Sequence, residues 1–168
     1  MKLQKLISAL SLVGIVLVLP GTAWAWTYTP ASTEDVVSAP HLSADGKYMV
    51  VLNDVKKKTF DQVLFFNTGS NKPAWTYSPT EMTVSSDISG NGKYVAAVGS
   101  KIWLFKKESN RPVWSVKAPQ GVIDAVSLNT AGNRMAIGDR SSTVRLYSTA
   151  SSKGPSNPGM SVRARTAS

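Results

Sequence analysis

Apolar and polar residues alternate along this chain in short runs, and three runs of one design succeed one another. QVLFFN (Gln62–Asn67), KIWLFK (Lys101–Lys106) and TVRLYS (Thr143–Ser148) put Val63 and Phe65, Ile102 and Leu104, or Val144 and Leu146 on one side. A period of two predicts strands with that side buried. Before each run stands another apolar one, YMVVL, YVAAV or RMAIG. A tight turn precedes each of these: Ala44-Asp45-Gly46, Gly90-Asn91-Gly92 and Ala131-Gly132-Asn133. Gly and Asn tolerate the positive φ that tight hairpins demand, so Gly46, Gly92 and Gly132 are expected at the turns. Short strands ending at Leu42, Ile88 and Leu128 lead into them. After the first two alternating runs come polar turns at residues 67–72 and 107–111. A tryptophan strand then follows, PAWTY with Trp75 or PVWSV with Trp114.

Residues 38–54, 84–100 and 124–140 therefore repeat one another. Trp75 and Trp114 are 39 residues apart, and Gly92 and Gly132 are 40 apart. Four strands per period of about 40 residues is the spacing of propeller blades. The expected fold is all-β, a β-propeller-type stack of three four-stranded blades at residues 36–79, 84–118 and 123–150, within a repeat region 26–152. Trp75, Trp103 and Trp114 recur at repeat-defined positions and are read as blade-packing residues; a carbohydrate or peptide platform is the alternative. The first repeat is longer: Gly46 and Gly92 lie 46 residues apart, and the excess around residues 53–59 carries Lys56-Lys57-Lys58.

The S-A-D-G-K-Y and S-G-N-G-K-Y turns, K-I-W-L-F, and N-T-G-x-x-x-P-x-W resemble bacterial and archaeal WD-repeat-like and quinoprotein-type propeller repeats. The resemblance spans residues 26–152 and implies fold more than activity, because propellers host unrelated functions. The G-H and W-D dipeptides of eukaryotic WD repeats are missing. The N-T-G…W stretch resembles the tryptophan-docking segment of quinoprotein blades, with Asn67 where Asp is common. That resemblance implies framework, not a quinone site.

The first 25 residues have a different pattern. Lys2 and Lys5 precede the uncharged run LISALSLVGIVLVL, then Pro20-Gly21, then Ala23-Trp24-Ala25. This is the three-part design of a secretory signal peptide. Cleavage between Ala25 and Trp26 is expected, with an extracytoplasmic destination and only transient membrane contact. An uncleaved anchor is the alternative, although the run is short for a span.

Composition narrows the chemistry. The chain has 168 residues, no cysteine and one histidine, His41. Thiolate chemistry and disulfides are excluded, and a typical zinc site lacks ligands. Asp45, Asp54, Asp61, Asp87, Asp124 and Asp139 are scattered over the repeats, one to three in each, which suggests turn capping and not an acid/base pair. Phosphate-binding glycine loops, Ca²⁺-loop spacing and nucleophile elbows do not occur. Net charge is +9. Residues 26–149 hold 14 basic and 10 acidic groups, without the dense basic clustering that nucleic acid would want. These features point to a non-catalytic binding scaffold for a protein or glycan, with no cofactor and no nucleic acid. A fragment of a quinoprotein oxidoreductase and an envelope-assembly factor working through strand edges remain alternatives.

WTYTP at residues 26–30 nearly repeats WTYSP at 75–79. The repeat region thus begins on a fourth strand, and no tryptophan strand follows TVRLYS. Residues 153–168, rich in Gly, Pro, Ser and Arg, are expected to be a disordered tail. Three blades fall short of the usual four or more. Three alternatives follow: the chain is a truncated or frame-shifted part of a larger propeller, copies associate through blade edges with each WTYTP completing a partner's third blade, or the chain is an open, short stack of sheets as it stands.

Overall fold

A computed structural model describes residues 25–56, 60–150 and 160–163. The described part is all-β. Twelve strands, β1 (Val36–Leu42), β2 (Tyr48–Asp54), β3 (Gln62–Asn67), β4 (Trp75–Tyr77), β5 (Thr83–Ile88), β6 (Tyr94–Gly99), β7 (Lys101–Lys106), β8 (Trp114–Lys117), β9 (Ile123–Leu128), β10 (Arg134–Asp139), β11 (Thr143–Ser148) and β12 (Met160–Arg163), form three four-stranded antiparallel sheets. Each is a meander: β1–β4, β5–β8 and β9–β12. The arrangement is compatible with a propeller-like fold.

Local chemistry explains the hairpins. At the first turn the Ser43 hydroxyl donates to Asp45 Oδ1 at 2.7 Å and accepts the Tyr48 amide at 3.1 Å, while Asp45 Oδ1 accepts the Lys47 amide at 3.1 Å. Ser89, Asn91, Lys93 and Tyr94 reproduce this at 2.8–3.0 Å. In the third repeat Asn129 takes the serine's place and accepts the Arg134 amide at 3.0 Å. Gly46, Gly92 and Gly132 have φ of 68°, 68° and 71°, a region that costs an L side chain about 1–2 kcal/mol.

The second sheet is packed on both faces. Val95, Ala97, Trp103 and Phe105 meet Val50, Leu52, Val63 and Phe65 of the first sheet. Ala96, Val98, Ile102 and Leu104 meet Met135, Ile137 and Tyr147 of the third. Further bonds stitch the sheets together. Ala44 N donates to Gly90 O (2.9 Å), Asn91 N to Thr130 O (2.8 Å), and Leu128 N to Asp87 Oδ2 (2.6 Å).

Two expectations need correction. The alternation in β11 was expected to bury Val144 and Leu146; instead Thr143, Arg145 and Tyr147 are buried, and Val144 is 57 % exposed. The cause is position in the stack. Val144 and Leu146 occupy the places of Ile102 and Leu104, but no sheet lies beyond the third among the described residues. Second, the tail was read as lacking any strand, yet residues 160–163 pair with β11 and supply the third sheet's fourth strand. Residues 1–24, on which the signal-peptide expectation falls, residues 57–59 and the rest of the tail lie outside the described residues.

Candidate interaction surface

The tryptophans show how sheets engage. Trp75 is on β4 of the first sheet. Its ring stacks on Phe65 of its own sheet, centroids 5.0 Å apart, and lies 5.4 Å from Phe105 of the next. Its indole N–H donates to the Lys107 carbonyl at 2.8 Å. Tyr77 meets Phe105 edge-on at 4.9 Å, and Asn110 Nδ2 donates to Thr76 O at 3.0 Å. A fourth strand thus belongs to one sheet by pairing and docks on the next by its side chains.

Residues 26–28 make the same set of contacts with no sheet of their own. Trp26 stacks on Phe66 at 5.7 Å and donates to the Thr68 carbonyl at 2.6 Å. Tyr28 meets Phe66 edge-on at 5.2 Å, and Asn71 Nδ2 donates to Thr27 O at 3.5 Å. Phe66, Thr68 and Asn71 stand in the first repeat where Phe105, Lys107 and Asn110 stand in the second. Ala25 is exposed beside this segment.

Trp103, on β7, is buried against the first sheet, edge-on to Tyr77 at 6.4 Å. Trp114 docks toward the third sheet among Ile123, Leu128 and Tyr147, but its buried N–H has no partner among the described residues. Arg145 fills the slot that Trp103 has in the second sheet and forms a buried ion pair with Asp139, whose other oxygen accepts the Ser141 amide at 2.9 Å. The sequence signal for this pair was the lone charged residue at a buried register position of β11. It was missed because Val144 and Leu146 dominated the pattern.

The carboxylates serve turns and pairs. Hydrogen bonds from the Ser43 hydroxyl, then the Lys47 amide, hold Asp45 below the usual carboxylate range. Arg140 pairs with Asp124 at 3.0 Å and Lys101 with Glu81 at 2.5 Å. His41 is exposed on β1. The described residues hold no group of three or more His, Cys, Asp or Glu able to share a metal.

Among the hollows of the described framework are two of similar size. One, of about 460 Å³, is lined by Trp26, Leu42, Gly46, Thr68 and Gly69. The other, about 480 Å³, is lined by Lys93, Tyr94, Lys106, Lys107 and Glu108. In the second, Lys107 Nζ donates to the Tyr48 hydroxyl at 2.9 Å, the first cause of its raised pKa, and lies 4.5 Å from the ring centroid. No protein-family model matches the chain, and no curated protein matches it.

Proposed function

We propose that this chain is an exported, non-catalytic propeller-type repeat module, of the WD-repeat-like or quinoprotein-like class, that binds an acidic protein segment or anionic glycan. The observation that carries the reading is the hollow at Lys93, Tyr94, Lys106 and Lys107. Its size falls within the range of roughly 300–1,000 Å³ common to binding sites. Three lysines line it with a single acidic residue, Glu108, and Tyr94 contributes a half-buried ring. The framework roles of Asp45, Asp87, Asp124 and Asp139 agree with a scaffold, because each is engaged in turn, cross-strand or inter-sheet bonding. Titration calorimetry of the full chain with heparin and with polyglutamate tests this. Binding to at least one is expected, weakened at least tenfold in the Lys93→Glu/Lys106→Glu double variant. Failure of the unaltered chain to bind either polymer would sink the reading.

A further inference from the structure

The two end faces of the stack are the two halves of its internal interfaces. At each internal interface a tyrosine at the head of the preceding sheet's second strand lies against the turn glycine of the following sheet. A Cβ on Gly92 would fall 2.4 Å from the Tyr48 ring, and one on Gly132 would fall 2.6 Å from the Tyr94 ring. The same glycine in the first sheet, Gly46, has nothing within 4 Å of that point. The seat is built and unfilled. Beside it Leu42 is 59 % exposed, while its equivalents Ile88 and Leu128, each covered by a preceding sheet, are 3 % and 8 % exposed. The third sheet presents the opposite half: Ala136, Gly138, Val144 and Leu146 occupy the places of Ala96, Val98, Ile102 and Leu104, which cover the third sheet from the second.

We propose that the open face of the third sheet receives the outer face of the first sheet of a second copy, head to tail. The internal interfaces supply the template for every contact. Leu42 of one copy lies over the Val144 face of the other. Arg134, which stands where Tyr48 and Tyr94 stand, enters the Gly46 seat beside Asp45, so that opposite charges meet. Residues 26–28 of the second copy then run along β11 without rearrangement on their own sheet, because they already dock there as a fourth strand of a preceding sheet does.

That position is held by β12. It takes the same register as the other fourth strands but carries a different residue at the key step: Trp75 pairs with Phe65 and Trp114 with Leu104, whereas Leu146 is opposite Met160. The incoming strand restores a tryptophan at this step, and β12 is displaced. Two copies joined twice in this way give six sheets, within the range of roughly 4–8 blades in closed propellers. Such contacts are heterologous, each face meeting a different face.

Sedimentation of the full chain tests the proposal, with two variants at exposed positions, Leu42→Glu and Val144→Glu. The unaltered chain is expected to associate as a dimer. Each variant alone is expected to weaken the dimer at least tenfold with its thermal unfolding, read in dilute protein, unchanged. Mixing the two variants regenerates one unmodified contact, so association returns in the mixture. A photo-crosslinker at Val144 is expected to capture residues around Leu42. A monomeric unaltered chain, a mixture that stays dissociated, or cross-links from Val144 to Val144 would each overturn the proposal. The variants leave the lysine hollow intact, so polymer binding reports on the functional reading separately.

Discussion

The interface between the first and second sheets is aromatic, and the indole N–H that its fourth strand brings there is paired. Phe65, Trp75, Tyr77, Trp103 and Phe105 interlock there, with the Trp75 N–H satisfied by a carbonyl. The interface between the second and third sheets uses the same backbone plan with different chemistry. Aliphatic residues, Met135 and Tyr147 fill it, a buried Arg145–Asp139 pair replaces an indole, and the Trp114 N–H has no partner among the described residues. A repeat thus transmits strand order and register faithfully, whereas the satisfaction of buried polar atoms is decided residue by residue.

Arg145→Leu bears hardest on this contrast. Removing one member of a buried ion pair typically costs about 3–5 kcal/mol, because the other charge is left uncompensated. Urea unfolding should show a loss of that size, and adding Asp139→Asn should recover most of it. A loss below about 1 kcal/mol would mean that the pair is solvated and that the two interfaces differ less than described.

The turn glycines compare filled seats with the open one. All three alanine substitutions meet the cost of positive φ, about 1–2 kcal/mol. Gly92→Ala and Gly132→Ala also drive a methyl into a tyrosine ring, and overpacking adds about 1–3 kcal/mol. In dilute protein Gly46→Ala is therefore expected to be the mildest of the three by thermal melting.

Tryptophan-to-phenylalanine changes sharpen the comparison further. Trp75→Phe forfeits a hydrogen bond and should cost about 0.5–1.5 kcal/mol from that loss alone, with lost ring contact adding to it. Trp114→Phe removes a buried N–H that lacks a partner among the described residues, a group whose desolvation costs about 1–3 kcal/mol, and this offsets the smaller ring. Denaturant midpoints should fall more for Trp75→Phe than for Trp114→Phe; the reverse order would contradict the assigned roles.

The smallest effect expected is at Asp61. Burial, then the nearby Asp54 carboxylate, raises its pKa. A carboxyl with a raised folded-state pKa favours the folded state when protonated; that contribution is lost as pH rises from the unfolded value through the folded one. Asp61→Asn should therefore be slightly more stable than the unaltered chain near neutral pH. It should converge with it below pH 4, measured by melting across pH.

Much of the fold was legible because hairpin signals are local. The three Gly turns, the period-two runs and the spacing of Trp75 and Trp114 depend on neighbours a few residues away. What escaped notice depends on place in the stack. Val144 and Ile102 are equivalent in pattern, yet one is open and the other is buried, because only the latter has a sheet on each side. The Arg145–Asp139 pair spans six residues of sequence but owes its burial to a separate sheet. The lysine hollow gathers Lys93 with Lys106 and Lys107 across a β6–β7 hairpin, where the sequence showed only a pair and a single lysine. Strand β12 has no alternation to announce it, and edge pairing with β11 supplies its order.

The central sheet's two-sided packing sets how the chain should come apart. When each layer is held mainly by its neighbours, stability behaves like a row of coupled units, and the ends open before the middle. Amide hydrogens of β6 and β7 should exchange slowest, and those of the edge strands β1 and β12 fastest among the paired strands. The middle layer then acts as the chain's folding nucleus in the equilibrium sense: lose it, and both neighbours lose a wall of their core.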